Sequence, residues 1–220
     1  MDGSDRLFEP LRRVVSPDVE TIAIAYPPGG ANGYGDLLPL VSAQLPSDRP
    51  FHLLGWSFSG PLALLAATRR PPNLRGVILV ASFVTRPIPY LPRWATRLAT
   101  PALFRFYPRV SRAKALLGGY GTAEVRRLLG EAHAAAGPVA LAARARATLS
   151  VDATAALADC PVPVLYLRST KDGVIRPRCA EAILAARPSV AIADIEGPHL
   201  ALVTNPQAAW REIDRFMARA

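Results

Sequence analysis

Short apolar runs alternate with longer amphipathic segments along most of the chain. Runs rich in aliphatic and β-branched residues predict buried strands, and they fall at residues 21–26, 51–56, 74–82, 163–168 and 190–195. Segments with apolar side chains at helical spacing separate them, at residues 5–15, 35–45, 57–70, 176–187 and from Asn205-Pro206 onward. This repeated alternation predicts an α/β fold, a mostly parallel sheet with helices on both faces.

The alternation is interrupted between residues 86 and 150. Five prolines divide the first part of this region, which is also dense in aromatic residues. Two alanine-rich helices are predicted to come next, at residues 122–136 and 138–149. Such an insertion serves either as additional packing or as a lid over an apolar pocket, and we favour the lid. The predicted organisation is therefore a core of residues 1–85 and 151–220 with a helical cap at residues 86–150.

Length and composition predict the number of domains and argue against a nucleic-acid partner. A chain of 220 residues, half of them apolar, is long enough to form one domain with a buried core. The net charge is +9, and every basic residue except Lys114 and Lys171 is arginine. These arginines are scattered, without a basic run of five or interleaved aromatic residues, so no nucleic-acid partner is predicted.

Location is indicated by the first residues, by hydropathy and by the cysteines. The first five residues include two aspartates and precede no apolar segment, so no secretory signal is predicted. No run of 18 apolar residues occurs, so no transmembrane segment is predicted. Cys160 and Cys179 have no CxxC spacing and no neighbouring histidine. This predicts no zinc site and indicates a reducing, cytoplasmic setting.

The first candidate for chemistry is Ser57, at the junction of a predicted strand and a predicted helix. The segment Gly55-Trp56-Ser57-Phe58-Ser59-Gly60 has the outline of a nucleophile elbow, a tight turn that exposes one serine hydroxyl. Residues two before and two after the nucleophile press against backbone and must be small, as Gly55 and Ser59 are. The Phe58 N–H would then be the first oxyanion donor, at a helix N-terminus. The alternative is an ordinary strand-to-helix turn with a capping serine.

Two further candidates lie directly after predicted strands. Asp172 comes after strand 163–168, and His199 comes after strand 190–195. Because ligands of parallel sheets lie beyond the carboxyl ends of the strands, these residues are expected to meet Ser57 there. His199 would take the proton of the Ser57 hydroxyl, and Asp172 would fix the tautomer of His199. The other acidic residues considered for the same role are Asp152, Asp159 and Asp194.

Together, these motifs resemble those of the α/β-hydrolase family. The similar segments are Gly55 to Gly60, Thr170-Lys171-Asp172-Gly173-Val174-Ile175 and Gly197-Pro198-His199, and the likeness spans nearly the whole chain. It implies an α/β-hydrolase core with a short helical cap. It also implies hydrolysis of an ester, thioester or amide through an acyl-serine intermediate, without a cofactor. The motifs do not identify the substrate.

The beginning of the chain departs from the family pattern. Family members begin with several strands, and the one before the oxyanion loop ends in a His-Gly or Pro-Gly pair. The segment from Met1 to Phe8 is similar to the family segment just after that pair, so the resemblance implies an N-terminally shortened chain. Met1 then stands where the second oxyanion N–H is found. The sheet position between strands 21–26 and 51–56 would be empty, or these two strands would pair directly.

These observations predict an esterase-type serine hydrolase that cleaves a small or medium apolar acyl ester. The predicted catalytic residues are Ser57, Asp172 and His199. The predicted oxyanion and substrate-binding residues are Phe58, Met1 and Trp56. We expect no metal and no cofactor, and the expected partner is a small-molecule acyl substrate. The alternative is a catalytically inactive protein of the same fold that binds an apolar small molecule.

Overall fold

The computed structural model describes residues 3–106 and 109–219, without the side chains of residues 109–112. Within these residues, four strands form one sheet in chain order. The strands are β1 (Phe51–Trp56), β2 (Leu74–Val80), β3 (Val164–Ser169) and β4 (Ala191–Ile195). All neighbouring strands run parallel. Helices connect them, so the predicted α/β fold with a parallel sheet is confirmed.

Helices account for most of the remaining structure. The α-helices are α1 (Glu9–Arg12), α2 (Tyr34–Ser42), α3 (Ser59–Ala67), α4 (Pro101–Phe106), α5 (Arg109–Leu117), α6 (Ala123–Ala135), α7 (Pro138–Ser150), α8 (Thr154–Ala158), α9 (Pro177–Ala186), α10 (Ala201–Thr204) and α11 (Pro206–Met217). Two 3₁₀ helices lie at Arg6–Phe8 and Arg93–Leu98. In the described part of the chain, no helix is both long and apolar enough to cross a membrane.

The central strand β2 is buried on both faces because its side chains alternate between two apolar layers. Val77 and Leu79 pack in a layer with residues of α3, α8 and α9. Ile78 and Val80 pack in the opposite layer with residues of α6, α10 and α11. Helix α6, which lies within the region expected to form the cap, therefore shares the apolar core of the sheet. This packing fixes the carboxyl edge of the sheet, where the candidate residues lie.

The predicted strand at residues 21–26 is wrong. The segment forms no strand among the described residues, and Tyr26 donates its N–H to the Gly3 carbonyl at 2.8 Å. Ile24 and Tyr26 pack against α2 and α3, whereas Ile22 is 52% exposed. Strand β1 lies at the edge of the described sheet and does not pair with this segment. The apolar pattern indicates that side chains of the segment pack in a core, but it does not indicate whether a neighbouring strand is present to form backbone hydrogen bonds.

Candidate active site

Ser57 lies in the turn between β1 and α3 in a conformation that other residues rarely adopt. Its φ is +53°, in the left-handed region. A residue that has a side chain is strained in this region. The surrounding hydrogen bonds hold it there. Its N–H donates to the Val80 carbonyl at 2.8 Å, and its carbonyl accepts from the Ser82 hydroxyl at 2.7 Å. The strain is therefore imposed by the end of the neighbouring strand β2.

Gly55 and Gly60 lie near Ser57 at positions where the turn leaves no space for a side chain. A Cβ on Gly55 would lie 2.6 Å from the Ser59 carbonyl oxygen, and a Cβ on Gly60 would lie 2.7 Å from the Ser82 Cβ. Both distances are too short for a side chain to exist there. At the second position after Ser57, Ser59 accepts a hydrogen bond from the Tyr26 hydroxyl at 2.9 Å.

His199 joins Ser57 to Asp172 through two hydrogen bonds. Its Nε2 lies 2.9 Å from Ser57 Oγ, and its Nδ1 lies 2.9 Å from Asp172 Oδ2. A carboxylate can only accept, so Nδ1 carries the proton and Nε2 is left as the acceptor for the serine hydroxyl. The side chains of His199 and Asp172 are both 4% exposed. The structure thus brings together the three predicted side chains at one edge of the sheet.

The loops that carry Asp172 and His199 hold each other in place. The other carboxylate oxygen of Asp172, Oδ1, accepts the N–H groups of Val174 at 2.7 Å and Ile175 at 2.8 Å. The Lys171 N–H donates to the Gly197 carbonyl at 2.9 Å, which links the loop after β3 to the loop after β4. The buried carboxylate therefore has partners on both oxygens, which fixes its orientation toward His199.

The predicted oxyanion and substrate-binding residues differ in where they lie. Phe58 is fully buried, its ring stacked on Tyr34 at 4.8 Å between centroids. Its backbone N–H, which comes directly after Ser57, has no acceptor among the described residues. Trp56 is buried, and its indole N–H donates to the His199 carbonyl at 3.3 Å, so it supports the histidine loop. Met1 lies outside the described residues.

Sequence reasoning missed Arg144, a fully buried arginine of helix α7. It donates to Asn32 Oδ1 at 2.7 Å and to the Pro27 carbonyl at 2.7 Å. Its guanidinium carbon lies 5.5 Å from the centroid of the Tyr26 ring. The guanidinium also packs against Gly3, where an added Cβ would lie 2.8 Å from the guanidinium carbon. In a chain with many scattered arginines, no sequence signal distinguishes this one.

Two clefts among the described residues are lined by residues other than Ser57. One, of about 560 Å³, lies between α2 and α7 and is lined by residues such as Asn32, Tyr34 and Arg146. The other, of about 270 Å³, is lined by residues at the end of β3 and in the loop to α9, including Ser169, Asp172 and Ile175.

The chemistry available to this arrangement is proton transfer coupled to nucleophilic attack. A histidine within hydrogen-bonding distance of a serine hydroxyl can act as general base, and a carboxylate behind it stabilises the imidazolium that results. Among the described residues, no three His, Cys, Asp or Glu side chains are grouped to hold a metal ion.

Comparison with solved structures shows the same fold. A hydrolase from Oleispira antarctica superimposes with a TM-score of 0.83 at 14% identity, covering 100% of this chain and 89% of that chain. A bromoperoxidase from Bacillus anthracis gives 0.79 at 15% identity, covering 98% and 88% of the two chains. An esterase from Rhodococcus sp. gives 0.75 at 20% identity, covering 99% and 87%. No curated protein matches the sequence.

The family comparison agrees with the solved structures. Residues 3–212 match the model of the alpha/beta hydrolase family, a range that includes Ser57, Asp172 and His199. The match covers nearly all of the chain, and the solved structures show that the likeness in fold extends over the same length. The chain therefore belongs to the alpha/beta hydrolase family.

Proposed function

We propose that this protein is a serine hydrolase that cleaves a small or medium apolar acyl ester through an acyl-serine intermediate. The observation that carries the proposal is the unbroken hydrogen-bonded path from Asp172 through His199 to Ser57, with both bonds at 2.9 Å. The strained φ of Ser57 supports it, because such strain is characteristic of functional turns.

The reaction proceeds in two steps on these side chains. Ser57 Oγ attacks the acyl carbon while His199 Nε2 takes the hydroxyl proton, and the negative charge that develops on the acyl oxygen faces the Phe58 N–H. When the resulting tetrahedral intermediate collapses, the ester bond breaks, and the alcohol leaves with the proton from His199. Water then attacks the acyl-serine, His199 takes its proton, and the acid leaves as Ser57 regains its hydrogen.

The class of substrate and the location of the protein rest on separate support. The solved structures with the same fold include an esterase from Rhodococcus sp., which supports ester hydrolysis as a reaction that this fold can carry out. Cys160 and Cys179 are free thiols, which supports a cytoplasmic setting.

The test is labelling of the folded protein with a fluorophosphonate probe. Ser57→Ala should abolish labelling, while Ser59→Ala, which removes only the hydroxyl that accepts from Tyr26, should keep most of it. Esters of p-nitrophenol with increasing acyl length should then be hydrolysed, with activity lost in His199→Ala. A folded protein that binds such esters without labelling or hydrolysis would support the inactive binding protein instead.

A further inference from the structure

The region between α3 and α6 exposes an unusual number of large apolar side chains. Trp94 is 64% exposed and Phe106 is 80% exposed. We call the exposed apolar residues of positions 90–106 the apolar cap face, and its members are Tyr90, Trp94, Leu98, Leu103 and Phe106. Single exposed apolar side chains are ordinary on a protein surface, but a concentration of this kind marks a site of interaction.

The apolar cap face is held against the rest of the molecule through other groups. Ala95 and Ala99 are buried, and the elements that carry them pack on α7. Arg146 donates to the Ala99 carbonyl at 2.7 Å, and Arg178 donates to the Pro87 carbonyl at 2.6 Å. Contacts with the body are therefore made by small residues, by backbone carbonyls and by the Tyr90 ring, which lies 5.2 Å from the Arg178 guanidinium carbon. The other four large apolar side chains of the face are exposed.

The segment that carries this face has charges of one sign. The sequence contains no aspartate or glutamate between Asp48 and Glu124. Arg93, Arg97 and Arg105 alternate with the apolar residues and are exposed. Among the described residues, none of the ion pairs involves these three arginines. Their charges are available to an anionic partner.

These features favour one occupant over the others. A second copy of the chain that pairs this face with itself would bring the three arginines of each copy together, and the segment offers no carboxylate to pair with them. Single-stranded nucleic acid would stack on the aromatic rings but would leave Leu98 and Leu103 unused. A membrane surface would contact both the apolar side chains and the arginines. Trp, Phe and Leu enter the boundary between headgroups and acyl chains, while arginines contact lipid phosphates.

We propose that the apolar cap face docks on a membrane surface that contains anionic phospholipid. The protein lies on the lipid through short helical elements and does not span it. This inference does not depend on the proposed esterase activity, since none of the five residues takes part in the hydrogen bonds that join Ser57, His199 and Asp172. Where both hold, docking brings the hydrolase to esters that are dissolved in the membrane.

The experiment is co-sedimentation of the full chain with two kinds of vesicle, phosphatidylcholine alone and phosphatidylcholine with one-third phosphatidylglycerol. The anionic vesicles should bind the protein, and raising the salt from about 0.1 M to about 1 M should weaken binding, because the Debye length falls from about 10 Å to about 3 Å. Replacing Arg93, Arg97 and Arg105 by Gln should lower the partition coefficient about fivefold for each arginine removed.

The matched control removes the same charge elsewhere. Arg69, Arg75 and Arg211 are exposed, and Arg75 lies at the amino end of β2, away from the edge that carries Ser57. Replacing these three by Gln should leave most of the binding to anionic vesicles intact. Trp94→Ser with Phe106→Ser should also weaken binding, and because both side chains are exposed the protein should fold normally.

Four results would overturn the proposal. The first is the absence of binding to anionic vesicles at low salt. The second is a loss of binding in the control triple variant as large as that in the variant of Arg93, Arg97 and Arg105, which would mean that binding depends on net charge alone. The third is self-association of the protein that the Trp94 and Phe106 substitutions abolish, which would assign the face to a second copy. The fourth is tighter binding to a single-stranded oligonucleotide than to vesicles, with loss in the same variants.

Discussion

At the scale of single residues, the proposed chemistry depends on how a few atoms are held. Ser57 is strained, His199 has one acceptor nitrogen directed at the Ser57 hydroxyl, and Asp172 has partners on both oxygens. These contacts fix the orientation of all three side chains. Substitutions that keep the shape but change the hydrogen bonds should therefore affect activity far more than folding.

Asp172→Asn tests this most simply. The amide keeps the size of the carboxylate but can donate to Nδ1, which favours the tautomer that cannot accept the Ser57 proton. We expect kcat to fall by about 10⁴ with little change in KM, as in the well-studied triad of serine proteases. Steady-state kinetics on a p-nitrophenyl ester would measure this. A loss of less than tenfold would mean that Asp172 does not orient His199.

The glycines of the turn give a prediction about stability. Gly60→Ala places a Cβ 2.7 Å from the Ser82 Cβ, so the end of β2 or the start of α3 must move, at a cost of about 1–3 kcal/mol. Gly130→Ala is the control, because Gly130 lies within α6 with no atom near its Cβ position. It should stabilise the protein by about 0.5–1 kcal/mol. Urea unfolding of both variants distinguishes them, and equal effects would contradict the close packing of the turn.

At the scale of elements, helix α7 is connected to the nucleophile turn through one buried cation. Arg144 contacts Asn32, the Pro27 carbonyl and the ring of Tyr26, and the Tyr26 hydroxyl donates to Ser59. A buried charge is tolerated only when it is paired or fully hydrogen bonded. The contact therefore ties the region expected to form the cap to the segment that packs on α3.

Arg144→Met should reveal the strength of this connection. The variant leaves the buried Asn32 Oδ1 without its donor, and an orphaned buried acceptor costs about 1–3 kcal/mol. Arg146→Met, on the same helix, removes one hydrogen bond from a less buried side chain and should cost less. Urea unfolding measures both. A larger loss in Arg146→Met would show that α7 is anchored elsewhere.

At the scale of the whole molecule, His52 should make stability depend on pH. Burial, aided by the charge of Arg75, lowers the pKa of His52 in the fold. The unfolded chain then binds a proton at higher pH than the folded protein does. The stabilisation by neutral His52 is therefore present above the unfolded pKa of about 6.5 and is lost as the pH falls below it.

His52→Phe should flatten this dependence. Between pH 7 and pH 5, the free energy of unfolding of the parent protein should fall more steeply than that of the variant. Urea unfolding at several pH values would measure the slopes. An identical slope in His52→Phe would show that His52 does not contribute.

Much of the molecule can be predicted from the sequence, for reasons that also explain the failures. Strands β2 and β3 are predictable because both faces are buried, which leaves a continuous apolar run. Ser57, Asp172 and His199 can be found because each lies just after a strand, and parallel strands end at one edge. The prediction of a strand at residues 21–26 is wrong because apolarity does not reveal a hydrogen-bonding neighbour. Arg144 is missed because its burial depends on residues distant in the chain.

The central claim is that His199, held by Asp172, makes the hydroxyl of Ser57 reactive. The most direct measurement is mass spectrometry of the protein after reaction with a fluorophosphonate, with identification of the modified peptide. We predict one adduct per chain, on Ser57, formed quickly in the parent protein and very slowly in His199→Ala. An adduct on Ser59, or a folded protein with no adduct at all, would contradict this claim.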